Sequence, residues 1–237
     1  MPAKRSFTPI VISFIVISFF AGCGKNPPLS TNVPISKVKS QILTSTTGVS
    51  DTIIYTYDNA GRQASAQTDT LFTTYTYAAN TVTMTYMLNG QSFHTIYATN
   101  SGGMATSDSK NFMYTYNAGG YLINYSYTGT GLYDSTVYLI STGNVDTSIR
   151  HQVDSATDNR ITTSYTYLTI VDSRDYGRAF LGKQNTNLIN TETVTQLING
   201  STYTINYTYA YSFDNKGRVA QQVQSSGTAT YTTTYTY

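Results

Sequence analysis

Tyrosine falls at every second position over long stretches of this chain, with threonine between. In residues 201–213, Tyr203, Ile205, Tyr207, Tyr209, Tyr211 and Phe213 lie on one face. Thr202, Thr204, Asn206, Thr208, Ala210 and Ser212 lie on the other. A period of two is the period of a β-strand, because successive side chains leave a strand on opposite sides. The same alternation marks Ile53-Tyr55-Tyr57, Leu71-Thr73-Tyr75-Tyr77, Phe112-Tyr114-Tyr116, Tyr121-Ile123-Tyr125-Tyr127, Ile161-Thr163-Tyr165-Tyr167 and Tyr231-Thr233-Tyr235-Tyr237. Aromatic and β-branched residues both fit a pleated surface. Helix formers are scarce, and Glu192 is the only glutamate.

Turn residues punctuate the strands. Asp58-Asn59-Ala60-Gly61, Asn117-Ala118-Gly119-Gly120 and Asp214-Asn215-Lys216-Gly217 each follow a strand end. Asp or Asn opens such a turn with its side chain, and Gly takes the left-handed position that starts the return strand. Asn89-Gly90 and Asn199-Gly200 read as two-residue hairpins. The expectation is all-β: a large antiparallel meander of about 10–12 strands, strongly curved or partly closed into a barrel. The copies repeat at irregular spacing, so a solenoid is not expected.

The first residues are an address. Lys4 and Arg5 precede an apolar run from Ile10 to Phe20. That run falls short of the roughly 20 residues that cross a bilayer and has the flanks of a secretory signal. It ends in Phe20-Ala21-Gly22-Cys23, which resembles the lipobox of bacterial lipoproteins, with Phe20 where Leu is usual. The resemblance implies cleavage before Cys23 and lipid on its thiol. Gly24 follows the cysteine, so by the same resemblance an inner-membrane retention signal is missing and the outer membrane is the expected address, on its periplasmic or its surface face. The expected organisation is signal peptide over 1–22, lipidated Cys23 and a Pro-rich tether over 23–36, and one β domain over 37–237. Pro27, Pro28 and Pro34 hold the tether extended.

Removing residues 1–22 takes Lys4 and Arg5 and leaves basic and acidic residues equal in number. A neutral domain lacks the basic face that nucleic-acid binding needs. Cys23 is the only cysteine, so no disulfide forms within the chain.

Catalytic chemistry has little foothold. His94 and His151 each sit in an expected strand without a second ligand at metal-binding spacing. No Gly-x-Ser-x-Gly and no phosphate-binding glycine loop occurs. Asp58, Asp158 and Asp214 lie at hairpin turns, where capping is their ordinary role. Neither a metal nor an organic cofactor is expected. Residues 173–187 form the longest stretch without alternation, read as a long loop with a short helical turn. Asp172 and Asp175 at its start are the acidic pair a hydrolase would use. The plain alternative is a connection between two halves of the sheet.

Tyr-x-Tyr-Asp-x-x-Gly-Arg at 55–62, with a close copy at 211–218, resembles the YD motif of Rhs-type repeats. A closer likeness is to Bacteroidetes lipoproteins of unknown function with a porin-like fold. Those combine a lipobox, such hairpins and a Gly-Lys-x-x-x-Asn-Leu stretch, here Gly182-Lys183-Gln184-Asn185-Thr186-Asn187-Leu188. This resemblance implies a large antiparallel sheet curled toward a barrel and brings no catalytic residues.

The tyrosine rows admit three roles: packing across strands, a binding platform, or a lipid-facing girdle. The functional expectation is a lipid-anchored, non-enzymatic envelope domain that binds or scaffolds. Its partner would be a glycan, a peptide or an envelope protein, and its contact with the membrane the lipid on Cys23. The alternatives are a hydrolase using the Asp172–Asp175 loop and an integral outer-membrane barrel.

Overall fold

The computed structural model describes residues 35–237 except 47, 49, 89, 130, 155, 156, 199 and 228. The signal peptide, Cys23 and nearly all of the tether lie outside the described residues. A two-residue strand, β1 (Ser36–Lys37), opens the fold. The first half of the sheet is β2 (Ser40–Ser45), β3 (Ser50–Tyr57), β4 (Gln63–Gln67), β5 (Phe72–Tyr77), β6 (Thr81–Leu88), β7 (Gln91–Thr99), β8 (Ala105–Asp108) and β9 (Phe112–Tyr116). Next come β10 (Leu122–Gly129), β11 (Leu132–Ser141), β12 (Asn144–Val153) and β13 (Asp158–Val171). A short β14 (Arg174–Asp175) pairs in parallel with β1. The chain finishes with β15 (Asn187–Ile198), β16 (Ser201–Phe213), β17 (Val219–Ser225) and β18 (Thr230–Thr236).

Each strand of the meander pairs antiparallel with its neighbour, and β18 pairs with β2 to close the ring into a barrel of sixteen strands. The register across the seam runs from Tyr231 opposite Ser45 to Thr236 opposite Ser40. Closure removes the unpaired edges that an open sheet would expose. The sheet has more strands than the ten to twelve that the sequence leads one to expect. The extra ones include β4, β8 and β17, which carry no aromatic residue.

The turns follow their residues. Asp58 accepts hydrogen bonds from the backbone N–H groups of Ala60 and Arg62, both 2.9 Å, and from the Arg62 side chain at 2.7 Å. Asp214 does the same for Lys216 and Arg218. Gly61 and Gly217 hold φ of 72° and 77°, where a side chain would be strained. The Arg62 hydrogen bonds hold the Asp58 carboxyl below its usual range. Burial opposes ionisation of Asp214, yet the Arg218 hydrogen bonds outweigh it and its carboxyl is also lowered. A lowered folded pKa stabilises the fold above the ordinary carboxylate range, and that contribution disappears as pH falls through the folded value. Asp214→Ala is therefore expected to cost about 1 kcal/mol at neutral pH, a charge-assisted bond discounted for exposure. The difference from wild type should shrink in urea melts at pH 3.

The two faces of the alternation separate cleanly. Tyr55, Tyr97, Tyr209, Tyr211 and Tyr235 are buried inside the barrel. Hydroxyls meet across strands on the outside: Thr56 with Ser65 at 2.7 Å, Thr166 with Thr191 at 2.7 Å, Thr193 with Asn206 at 2.9 Å. Apolar residues on the outer face are interspersed with polar ones. Ile42 lies between Thr52 and Thr234, Ile54 between Ser40 and Gln67, and Ile96 beside Thr83. The tyrosine rows thus line the lumen, which removes them from the role of a lipid-facing girdle.

Candidate functional site: a plugged, tyrosine-lined lumen

Residues 172–186 do not run over the surface. They enter the barrel at one end and close it. Gln63 donates its N–H to the Gly177 carbonyl at 3.0 Å, Lys183 to the Gly120 carbonyl at 2.9 Å and Thr186 to the Gly143 carbonyl at 3.0 Å. All three barrel partners belong to turns, or the residue following a turn, at the same end. Gly177 has φ of 67°, and a Cβ there would meet the backbone of Gln63 at 2.7 Å. The expected helical turn is present as a single 3-10 turn over Ala179–Leu181.

Two anchors fix this plug. On one side Arg174, its side chain 10% exposed, forms a two-pronged ion pair with Asp172, with bonds of 2.7 and 2.6 Å. It also donates to the Gln222 side chain and, at 2.9 Å, to the Tyr235 hydroxyl. Its guanidinium lies 5.2 Å from the Tyr235 ring centre. Burial works against its charge, but Asp172 wins and keeps the group ionised. On the other side Phe180, 4% exposed, sits among Tyr75, Tyr77 and Tyr97 with ring centres 6.1, 6.2 and 5.1 Å away. Between them Tyr176 packs edge-on against Tyr55 at 5.5 Å.

Asp172 and Asp175 do not form an acidic pair. Asp172 is committed to Arg174. Asp175 holds Lys37 at 2.6 Å and the Gly177 N–H at 2.7 Å. The histidines lie apart as well: His94 bonds Thr85 at 2.9 Å, and His151 bonds Asp158 at 3.0 Å. Asp158 thus meets an imidazole at the start of β13. Among the described residues no three potential metal ligands gather.

Along β16 burial falls away from the plug. On the inward face of β16, Tyr211 is 6% exposed, Tyr209 4%, Tyr207 partly, Ile205 46% and Tyr203 59%. The buried apolar side chains (Val38, Val82, Leu188, Val219) all sit toward the plugged end. Farther up, the buried inward residues are polar, among them Asp134, Thr136, Glu192 and Gln224. Aromatic rings continue up the wall, from Tyr97 to Tyr114 at 6.1 Å, Tyr114 to Tyr125 at 6.3 Å and Phe112 to Tyr127 at 5.4 Å. Asp134 and Arg150 form a second two-pronged ion pair, with bonds of 3.0 and 2.6 Å.

Glu192 stands apart from both ion pairs. The residue is 7% exposed, and its carboxylate takes a hydrogen bond from Tyr209. Tyr165 on β13 and Tyr207 on β16 face it in register. Burial, then the Glu192 charge, pushes the Tyr165 hydroxyl up to about 12. Burial likewise raises the Glu192 carboxyl above its usual range, against the Tyr209 hydrogen bond. Sequence reasoning noted this glutamate only as a count. The available signal was its inward parity between Thr191 and Thr193.

A closed antiparallel β-barrel, plugged at one end and lined with tyrosine, is the class that this geometry defines. It is similar in fold to a porin-like protein from Bacteroides uniformis, at 19% identity and a TM-score of 0.57, covering 86% of this chain and 98% of that one. A porin-like protein from Bacteroides vulgatus aligns at 14% identity and a TM-score of 0.59, covering 85% and 99%. No family model and no curated protein matches the chain.

Proposed function

We propose that this is a lipid-anchored envelope protein whose barrel stands off the membrane as a non-conducting cup and binds a small partner in its lumen, without catalysis. Strand length is the observation that carries this reading. A membrane-crossing β-strand takes about 9–11 residues. β8 has 4 residues, β4 and β9 have 5, and β2 and β5 have 6. A transmembrane barrel also needs an outward apolar band about 25 Å tall. Here the outer face is laced with threonine and serine pairs. The plug argues against conduction, and the exposed upper lumen offers concave aromatic surface with hydroxyls for a glycan, a peptide end or a smaller molecule.

Supporting the anchor are the sequence features at Cys23. Location at the outer membrane is part of the same proposal. The hydrolase reading loses its motivating pair, because Asp172 and Asp175 are held by different cations.

Two measurements test the proposal together. The full chain should take up labelled palmitate and sediment with membranes, and Cys23→Ser should abolish the labelling. Residues 24–237 should be monomeric in buffer without detergent and produce no conductance in planar bilayers. A domain that needs detergent, migrates differently when unheated and opens channels would establish an integral barrel instead.

A further inference from the structure

We propose that Glu192 and the tyrosines around it form a binding site for an organic ammonium cation that enters from the unplugged end. This inference rests on the lumen-binding reading above and names the chemistry of the ligand.

The argument starts from a contrast. Asp134 and Asp172, two other carboxylates of the lumen, are each gripped by an arginine at two points. Glu192 is as buried as either, and among the described residues no basic side chain pairs with it. A buried carboxylate without a cation is expensive to keep charged. The protein answers with one hydrogen bond from Tyr209, which engages Oε2 and leaves Oε1 for a donor. Burial raises the carboxyl's pKa against that hydrogen bond.

The walls fit the same ligand. Tyr165 and Tyr207 flank Glu192 in register, Tyr209 bonds it, and Tyr167 lies close enough on β13 to feel its charge. Aromatic faces attract cations within about 6 Å through the ring quadrupole, and more strongly where water is excluded. Alternatives fit less well. An anion would face a buried carboxylate. Calcium takes about six to eight oxygen ligands and zinc about four ligands, and one carboxylate among phenols supplies neither. An alkylammonium needs one charge partner and apolar rings, which is what this depth of the lumen offers.

Exposure on the inward face of β16 drops from 59% at Tyr203 and 46% at Ile205 to 4% at Tyr209. Glu192 therefore sits where the lumen passes from wet to dry. There a cation can shed water and meet its counter-charge in one step.

The test is calorimetric titration of the full chain in neutral detergent with choline and with n-butylammonium, using potassium chloride as control. Tyrosine emission is a second readout, since the chain has no tryptophan. Saturable binding of at least one ammonium probe is expected, with affinity lowered about tenfold or more in Glu192→Gln, a difference of one charge–charge contact. Glu192→Gln keeps the shape and a hydrogen-bond acceptor, so its melting temperature should equal or exceed that of wild type. Unchanged ammonium binding in Glu192→Gln, or no saturable binding by wild type, would overturn the proposal. Val194 lies two residues beyond Glu192 on β15, opposite Ile205, so labelling of Val194→Cys by a small thiol reagent, located by peptide mass spectrometry, separates the two levels of failure. Label at position 194 of that variant without ammonium binding rejects the cation site alone. No label at that position shows that the lumen is closed and rejects both readings.

Discussion

Arg174→Met should destabilise the barrel by about 3–5 kcal/mol, the usual cost of leaving half of a buried ion pair behind. The arginine makes two bonds to Asp172 and one each to Gln222 and Tyr235. Removing it strands the Asp172 carboxylate in a site with little water. It also leaves Gln222, which is 2% exposed, without that donor. Urea unfolding followed by far-ultraviolet circular dichroism measures the loss. Replacing both partners, as Arg174→Met with Asp172→Leu, should recover much of it, because a pair of apolar groups carries no stranded charge. A loss below about 1 kcal/mol in the single variant would mean that the plug is not held by this arginine.

Phe180→Ala is expected to cost a similar amount, about 3–5 kcal/mol, through the cavity left among Tyr75, Tyr77 and Tyr97. The three rings belong to β5 and β7, and they converge on one side chain at the plugged end. Phe180→Leu refills most of the volume and should cost clearly less. Phe180 belongs to one apolar cluster and Tyr235, which Arg174 bonds, to another, so simple distance would make their effects additive. They nevertheless belong to one short segment. Once Arg174 has released it, part of the Phe180 contribution is already gone, and the double variant should fall short of the sum. Full additivity in the double variant would show that the segment does not act as one plug.

Much of the barrel wall was legible residue by residue. The runs at 53–57, 71–77, 112–116, 121–127, 161–167, 201–213 and 231–237 overlap β3, β5, β9, β10, β13, β16 and β18. Asp58 and Asp214 cap the turns at which they were expected. Strands such as Ala105–Asp108 escaped because four residues without an aromatic give no periodic signal. Residues 173–187 were legible as a departure from alternation, yet loss of a pattern says nothing about where a segment goes. Arg174 looked like any loop arginine. Its partners are 48 and 61 residues away, and Asp172 alone is near in sequence. The site was legible least of all, because the company of Glu192 comes from β13 and β16, brought together only by pairing on both sides of β15.

The sequence by itself determined that this chain makes antiparallel strands with a tyrosine face and a threonine face, joined by tight Asx and glycine turns. Those properties are local, since period two and turn chemistry are set by neighbours within a few residues. Only the tertiary structure decided that the tyrosine face turns inward, that β2 and β18 meet, that the unpatterned segment stops one end, and that one glutamate has no cation beside it among the described residues. Each of these depends on contacts between residues far apart in the chain. Alternation alone is symmetric between the two faces. The asymmetry comes from closing the ring, which gives the face with the larger apolar area a core to bury and leaves the hydroxyls to water.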